Sequence, residues 1–402
     1  MSIIWKILYI LYIALPIGTN GYQYLSFLNV YHNNINVLDI GLLLLFIYTI
    51  IINLKKIVIK KSKLFFIAAY FITLILTMIT LMRGYHVYGM SAVNDSFKYF
   101  RCLLFIFVGL GNPLLFDDYT DFISCTKKGL YLNFILTVIS FVTMGGGQRI
   151  GSSAPTLFII IFPLELIRYL HGETKDKKSF WIMLVVFLAM SAFTQNRTFV
   201  FLTILVCVFS TIQIAFTRVK RSTVSKIFFI SLMVIVTIAV LLSMNLSFVN
   251  RLLHGGEMDT GAGRINTFLY YLNIFGKHYS GFGFGYIMHF VTQHNYVLNA
   301  YDTFNIDNAL IVYAIKGGIL YLVAQMIMLF YPLKKMLKDE KYTFVLILGY
   351  IGLFLSSCVM TSQIIHGLAV SAFVWSTVGM SANGQLVIRK EKAARRIRLV
   401  YR

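Results

Sequence analysis

The sequence is short of charge, and above all of negative charge. Only 13% of its 402 residues are charged, and Asp and Glu together number 15. A soluble domain carries about 25% charged residues. There is too little charge here to coat two or three soluble domains of this total length. Cysteine is scarce too, with four residues. Cys102, Cys207 and Cys358 fall inside apolar runs and Cys125 in a short polar loop, so neither a disulfide framework nor a metal knuckle is implied. No D-x-D pair, P-loop or internal repeat is present, which argues against sugar-nucleotide and nucleoside-triphosphate chemistry.

What the chain has instead is apolar length. Hydrophobic residues make up 58%, and the mean hydropathy is +0.77. A membrane-spanning helix needs about 20 apolar residues. Twelve runs qualify as expected spans: 3–19, 36–54, 64–82, 99–116, 129–144, 155–170, 180–194, 198–216, 227–248, 306–332, 342–360 and 366–386. The first contains Lys6 and an apolar run from Ile7 to Ile17 and has no small-x-small cleavage site after it, so it reads as a retained span. The expected fold is all-α, a polytopic membrane protein forming a single domain over 1–402.

The net charge of +21 would suggest nucleic acid in a soluble protein. Its distribution points elsewhere. Lys6, the 55–63 and 127–128 lysines, Arg168 with Lys175–Lys178, and Arg218–Lys226 hold part of it. Lys334–Lys341 and the basic tail from Arg389 hold the rest, 27 of the 36 basic residues in all. These segments all lie on one side if both termini are cytoplasmic, as the positive-inside rule requires. Nine basic residues are left over: Arg83, Lys98, Arg101, Arg149, Arg197, Arg251, Arg264, Lys277 and Lys316. Charges near or within spans that orientation does not need are functional candidates.

One outer segment, 249–305, is long. It is too glycine-rich and polar to span and too aromatic for a tether. Within it, Arg264 to Lys277 carries apolar residues at near-helical spacing, which predicts an amphipathic helix at the membrane–water boundary. Gly281, Gly283 and Gly285 then read as a flexible turn. Long loops in compact proteins are usually functional.

Three outer arginines stand in short polar breaks: Arg149 in "GGGQRIGSSAP", Arg197 in "TQNRTFV" and Arg264 in "GAGRINTF". A guanidinium keeps its charge and presents a planar fork suited to phosphate oxygens. Each also fits helix capping or snorkelling to headgroups.

In combination they resemble the family of Wzy-type O-antigen polymerases and O-antigen ligases, multi-span bacterial enzymes acting on lipid-linked glycans. The likeness rests on "QRIGSSAPT", "QNRTF", "GRINTFLYYLNIFGKHYSGFGFGY" and "IDNALIVYAIKGGILYL". It covers about 145–325 by motif and the whole chain by topology. It implies a polymerase that moves a growing glycan from an undecaprenyl-pyrophosphate carrier onto a lipid-linked repeat unit at the outer face of the bacterial cytoplasmic membrane. Arg197 and Arg264 would neutralise the leaving pyrophosphate, and Arg149 would orient the acceptor carrier. Asp307 would orient or deprotonate the acceptor hydroxyl, with Asn308 beside it. Neither metal nor cofactor is implied. Membrane lipid, a flippase and a chain-length regulator are the implied partners, and nucleic acid is not one.

Ligases of the family resemble one another in a His where this chain has Asp307, so Asp307-Asn308 looks more like the polymerase branch. Asp307 equally suits an N-cap. His278, His289 and His294 are further candidates, without metal spacing. Lys316 is expected to reach substrate phosphate or pair with Asp307. Asp95, Lys98 and Arg101, spaced i, i+3, i+6, read mainly as an ion-pair set, with Arg101 as a carrier-phosphate contact. Asp39 and Glu165 lie in spans and need partners, Glu165 most simply Arg168. A ligase remains an alternative, and so does a flippase or transporter for lipid-linked oligosaccharide.

Overall fold

The computed structural model describes residues 2–15, 29–31, 35–53, 64–110, 116, 118–143, 153–171, 177–194, 197–218, 261–288, 308–336, 342–382 and 386. The expected ninth span, 227–248, lies outside them. Thirteen helices are described: α1 (Ser2–Ala14), α2 (Val37–Asn53), α3 (Leu64–Tyr88), α4 (Met90–Leu110), α5 (Tyr119–Thr143), α6 (Phe158–Leu170), α7 (Lys177–Thr194), α8 (Arg197–Arg218), α9 (Gly261–Lys277), α10 (Ala309–Met336), α11 (Thr343–Phe354), α12 (Gln363–His366) and α13 (Leu368–Ala382). A 3-10 turn over Ala154–Leu157 leads into α6, and a π turn over Leu355–Val359 continues α11. A two-stranded antiparallel ladder, β1 (Asn29–Tyr31) with β2 (Ile35–Asn36), precedes α2. The sequence pattern did not announce it.

Three helices are long and apolar enough to cross a membrane: Leu64–Tyr88, Tyr119–Val142 and Ala309–Met336. Six further apolar helices are shorter. The molecule is therefore predominantly helical and compatible with a membrane protein. Length and composition support three crossings among the described residues, not twelve.

Helix α3 shows why lipid is the fitting neighbour. Its inward face is Phe66, Tyr70, Thr73, Thr77, Thr80 and Gly84, at helical spacing. Its outward face exposes Phe65, Phe71, Ile72, Ile75, Met78 and Ile79. Small and polar residues face the protein and large apolar ones face out, the reverse of a water-soluble helix. The three threonines return their hydroxyls to carbonyls four residues back, at 2.7–2.8 Å, so none of these hydroxyls is left bare.

Close packing uses the same small-residue device. α4 packs most extensively on α13, where Gly109 and Gly379 bring the backbones together. A Cβ on either would strike the opposing helix backbone. The two helices run parallel, since Cys102 meets Ser371 and Gly109 meets Ser376. α3 runs antiparallel to α4 and to α10, as Tyr70 reaches Leu103 and Phe66 meets Tyr331. The end of α3, the start of α4 and the first half of α10 thus share one end of the bundle. The starts of α1 and α5 and the end of α6 share the other, joined by Lys6–Asp121 at 2.6 Å and Lys127–Glu165 at 3.0 Å.

Candidate functional site

The predicted site residues fall into three groups. Arg149 and Asp307 lie outside the described residues, as do His289 and His294. Arg197 opens α8 and Arg264 sits in the first turn of α9. Asn308, Lys316 and Arg101 are placed with their side chains.

Helix α9 spans Gly261–Lys277, close to the expected Arg264–Lys277. It exposes Phe268, Leu269 and Leu272 and buries Thr267 and Tyr271. The apolar outer face matches an interfacial helix.

The segment after α9 is no flexible turn. It is laced into the bundle by its backbone. Helix α10 breaks at Gly318, whose φ of 82° only glycine tolerates without strain. The break releases the carbonyls of Ile315 and Lys316, which accept from the N–H groups of Phe282 and Gly283, both at 2.8 Å. Ile319 N–H in turn donates to the Tyr279 carbonyl at 3.0 Å. Inside a membrane a broken helix is tolerated only when its freed groups find partners. Here the loop supplies them. The fit is tight, since a Cβ on Gly281 would lie 2.5 Å from the Gly318 nitrogen. On the α3 side, Phe284 N–H donates to the Thr80 carbonyl, and Arg83 donates to the carbonyls of Ser280 and Gly281. Phe284 stacks on Tyr99 at 4.3 Å.

Beneath this strap lies a buried ionic cluster. Asp95 Oδ2 accepts from Lys316 Nζ at 2.6 Å and from Gly285 N–H at 2.9 Å. Asp95 Oδ1 faces Lys98 Nζ at 2.6 Å. Asp95 and Lys316 are fully buried and Lys98 is 4% exposed. One carboxylate therefore joins α4, α10 and the loop. Two charges in a low-dielectric interior persist only when paired and hydrogen-bonded.

The partners of Lys316 and Arg101 differ from expectation. Lys316 pairs with Asp95, 221 positions away, a separation no local pattern reveals. Arg101 does not join the Asp95 set. At about 100° per residue, six residues leave it about 120° round the helix from Asp95. It turns instead to Asp39, with two bonds of 2.7 Å, and Tyr12 donates to the same carboxylate at 2.8 Å. That bidentate pair ties α1, α2 and α4 together. The missed signal was arithmetic: the acids Asp39 and Asp95 and the bases Arg101 and Lys316, all in apolar surroundings, are natural complements. Glu165 does pair with Arg168, at 3.2 Å, and also with Lys127.

Asn308 caps α10. Its side-chain oxygen accepts from Ile311 N–H at 3.1 Å, and its amide donates to the Val359 carbonyl of the π turn at 3.0 Å. The capping bond thus comes from Asn308, one residue beyond the expected Asp307. On the far side of that turn, Thr156 donates to Gln363 at 2.7 Å, and Ala369 N–H donates to Ser153 Oγ at 3.3 Å. Ser153 and Thr156 belong to the "QRIGSSAPT" segment. The stretch 355–369 therefore contacts both that segment and the capped start of α10. Among the described residues no group of three or more His, Cys, Asp or Glu side chains comes together to hold a metal. No protein-family model matches the chain, and neither a curated protein nor a solved structure is similar to it at a significant level.

Proposed function

We propose that the chain is a polysaccharide polymerase of the O-antigen, capsule or exopolysaccharide type. It spans the bacterial cytoplasmic membrane about twelve times with both termini inside and the 249–305 loop outside. It transfers a growing glycan from undecaprenyl-pyrophosphate to a lipid-linked repeat unit. The acceptor hydroxyl attacks the anomeric carbon, its bond to pyrophosphate breaks, and the hydroxyl proton passes to a base, for which Asp307 is placed by sequence. Arg197 and Arg264 neutralise the charge that develops on the departing pyrophosphate, and Arg149 orients the acceptor carrier. Flippase and chain-length regulator are the partners this reaction calls for.

The observation that carries the reading is the strap. Arg264 begins α9, and the segment that follows is bonded into α10, whose cap is Asn308. Two of the four motifs that suggest the family thereby belong to one connected unit. The paired charges sharpen the charge subtraction as well. Of the nine basic residues that orientation does not need, Arg83, Lys98, Arg101 and Lys316 have internal bonds.

Transport is the competing class, because transporters bind cargo at broken mid-membrane helices. In α10 the freed carbonyls of Ile315 and Lys316 are already bonded to the chain's own loop, which favours a structural break over a cargo site.

The test is the glycan ladder in cells. Arg264→Ala at normal protein level is expected to leave single repeats on the final acceptor. An undiminished long-chain ladder would sink the assignment. Accumulation of long carrier-linked chains on deletion would instead favour a ligase.

A further inference from the structure

Among the described residues, the stretch between α11 and α13 is where regular helix fails most often. It contains a π turn, a four-residue helix and the extended Gly367. Single π turns inside helices occur frequently at functional sites. Its neighbours give the irregularity a purpose. It meets the "QRIGSSAPT" segment through Thr156 and Ser153, and the start of α10 through Asn308. His366 closes it, exposed to solvent. Cys102 Sγ lies 3.1 Å from the Lys98 carbonyl and 3.8 Å from the Ile364 carbonyl, which sets the short helix that ends at His366 against the part of α4 that carries the ionic cluster.

We infer that His366 is a sugar-binding residue that hydrogen-bonds a hydroxyl of the acceptor repeat unit. The inference rests on the polymerase reading and names a subsite within it. The ring is held for such a task. Its Nε2 lies 3.2 Å from Ser362 Oγ, and Ser362 is only 1% exposed. A serine that buried orients the imidazole rather than attacking anything itself. The bond leaves the Nδ1 edge for a ligand. Gln363, half-buried and fixed by Thr156, adds an amide of the kind that recognises sugar hydroxyls. An apolar wall would suit the lipid tail. A polar break with an oriented ring suits the glycan.

The test uses the full-length protein in detergent with lipid-linked repeat units isolated from cells lacking the polymerase. Initial elongation rates are measured while single-repeat acceptor varies against a fixed pre-extended donor. His366→Ala should raise the acceptor KM about tenfold, the effect of one lost hydrogen bond, with kcat within about threefold. His366→Gln, which keeps a hydrogen-bonding side chain, should recover much of the loss. Ser362→Ala should give a smaller rise, because it only frees the ring. An unchanged acceptor KM in His366→Ala, or a fall in kcat alone, overturns the inference. Arg264→Ala run in parallel separates the two levels. If it too elongates normally, the role given to Arg264 has failed; if folded wild-type protein does not elongate, the polymerase reading itself has failed. If it is inactive while His366→Ala behaves as wild type, only the subsite has failed.

Discussion

Two carboxylates in this protein are built to the same plan at opposite ends of the bundle. Asp95 and Glu165 each pair with a cation three residues on along their own helix, Lys98 and Arg168, and each takes a lysine from elsewhere in the chain, Lys316 and Lys127. Each cluster carries one acid against two bases. They differ in solvent. Lys98 and Lys316 are 4% and 0% exposed, whereas Lys127 and Arg168 are 16% and 15% exposed. They differ also in cargo. Asp95 holds a backbone N–H of the glycine-rich loop, whereas Lys127 holds the Ser179 hydroxyl of α7. The same ionic motif serves as a sealed latch for the proposed catalytic loop at one end and as a helix clamp with partly exposed cations at the other.

The largest effect should come from removing the sealed acid. Asp95→Ala leaves two buried lysines without their counter-charge and strips the Gly285 N–H of its acceptor. It is expected to cost about 3–5 kcal/mol, measured by thermal unfolding in detergent. A loss no greater than that of Glu165→Ala would break the comparison. Next, the double variant Asp95→Leu with Lys316→Met should be more stable than the sum of the singles predicts. A coupling of about 2 kcal/mol is expected, and additivity would mean that the pair is not coupled.

Gly318→Ala forces a side chain into left-handed backbone and places its Cβ 2.5 Å from the Ser280 carbonyl oxygen. It should cost about 1–3 kcal/mol and raise hydrogen exchange over 279–285. Unchanged exchange there would detach the loop from the kink. The smallest effect is expected of Glu165→Gln, about 1 kcal/mol, because the amide keeps an accepting oxygen in the buried position and the cations it faces reach water. That cost should shrink in high salt while the Asp95 cost does not.

Local periodicity made much of this fold legible. The apolar runs anticipated α3, α10 and the second half of α5, whose first half, with Cys125 buried in it, read as a polar loop, and the spacing of Ile265, Phe268, Leu272 and Phe275 anticipated α9. Pairs within one helical turn were equally open, as Glu165–Arg168 shows. Contacts set by tertiary folding were not. Nothing near Lys316 announces Asp95, and nothing near Arg101 announces Asp39. The run Gly281, Gly283, Gly285 reads as flexible because glycine is permissive, yet here it is used for close approach. Gly84 and Ala92 occupy the space that side chains would need. The break at Gly318 sits inside a long apolar run that resumes directly after Lys316-Gly317-Gly318, so the run reads as one span. His366 escaped attention because it stands inside an apolar run, at the expected start of a span.

The most direct test of the central claim is elongation by the purified protein. It would be supplied in detergent with lipid-linked repeat units and no energy source. The account predicts a ladder of carrier-linked chains from the wild type and unextended repeats from Arg264→Ala. No elongation by folded wild-type protein, or an equal ladder from Arg264→Ala, would contradict it.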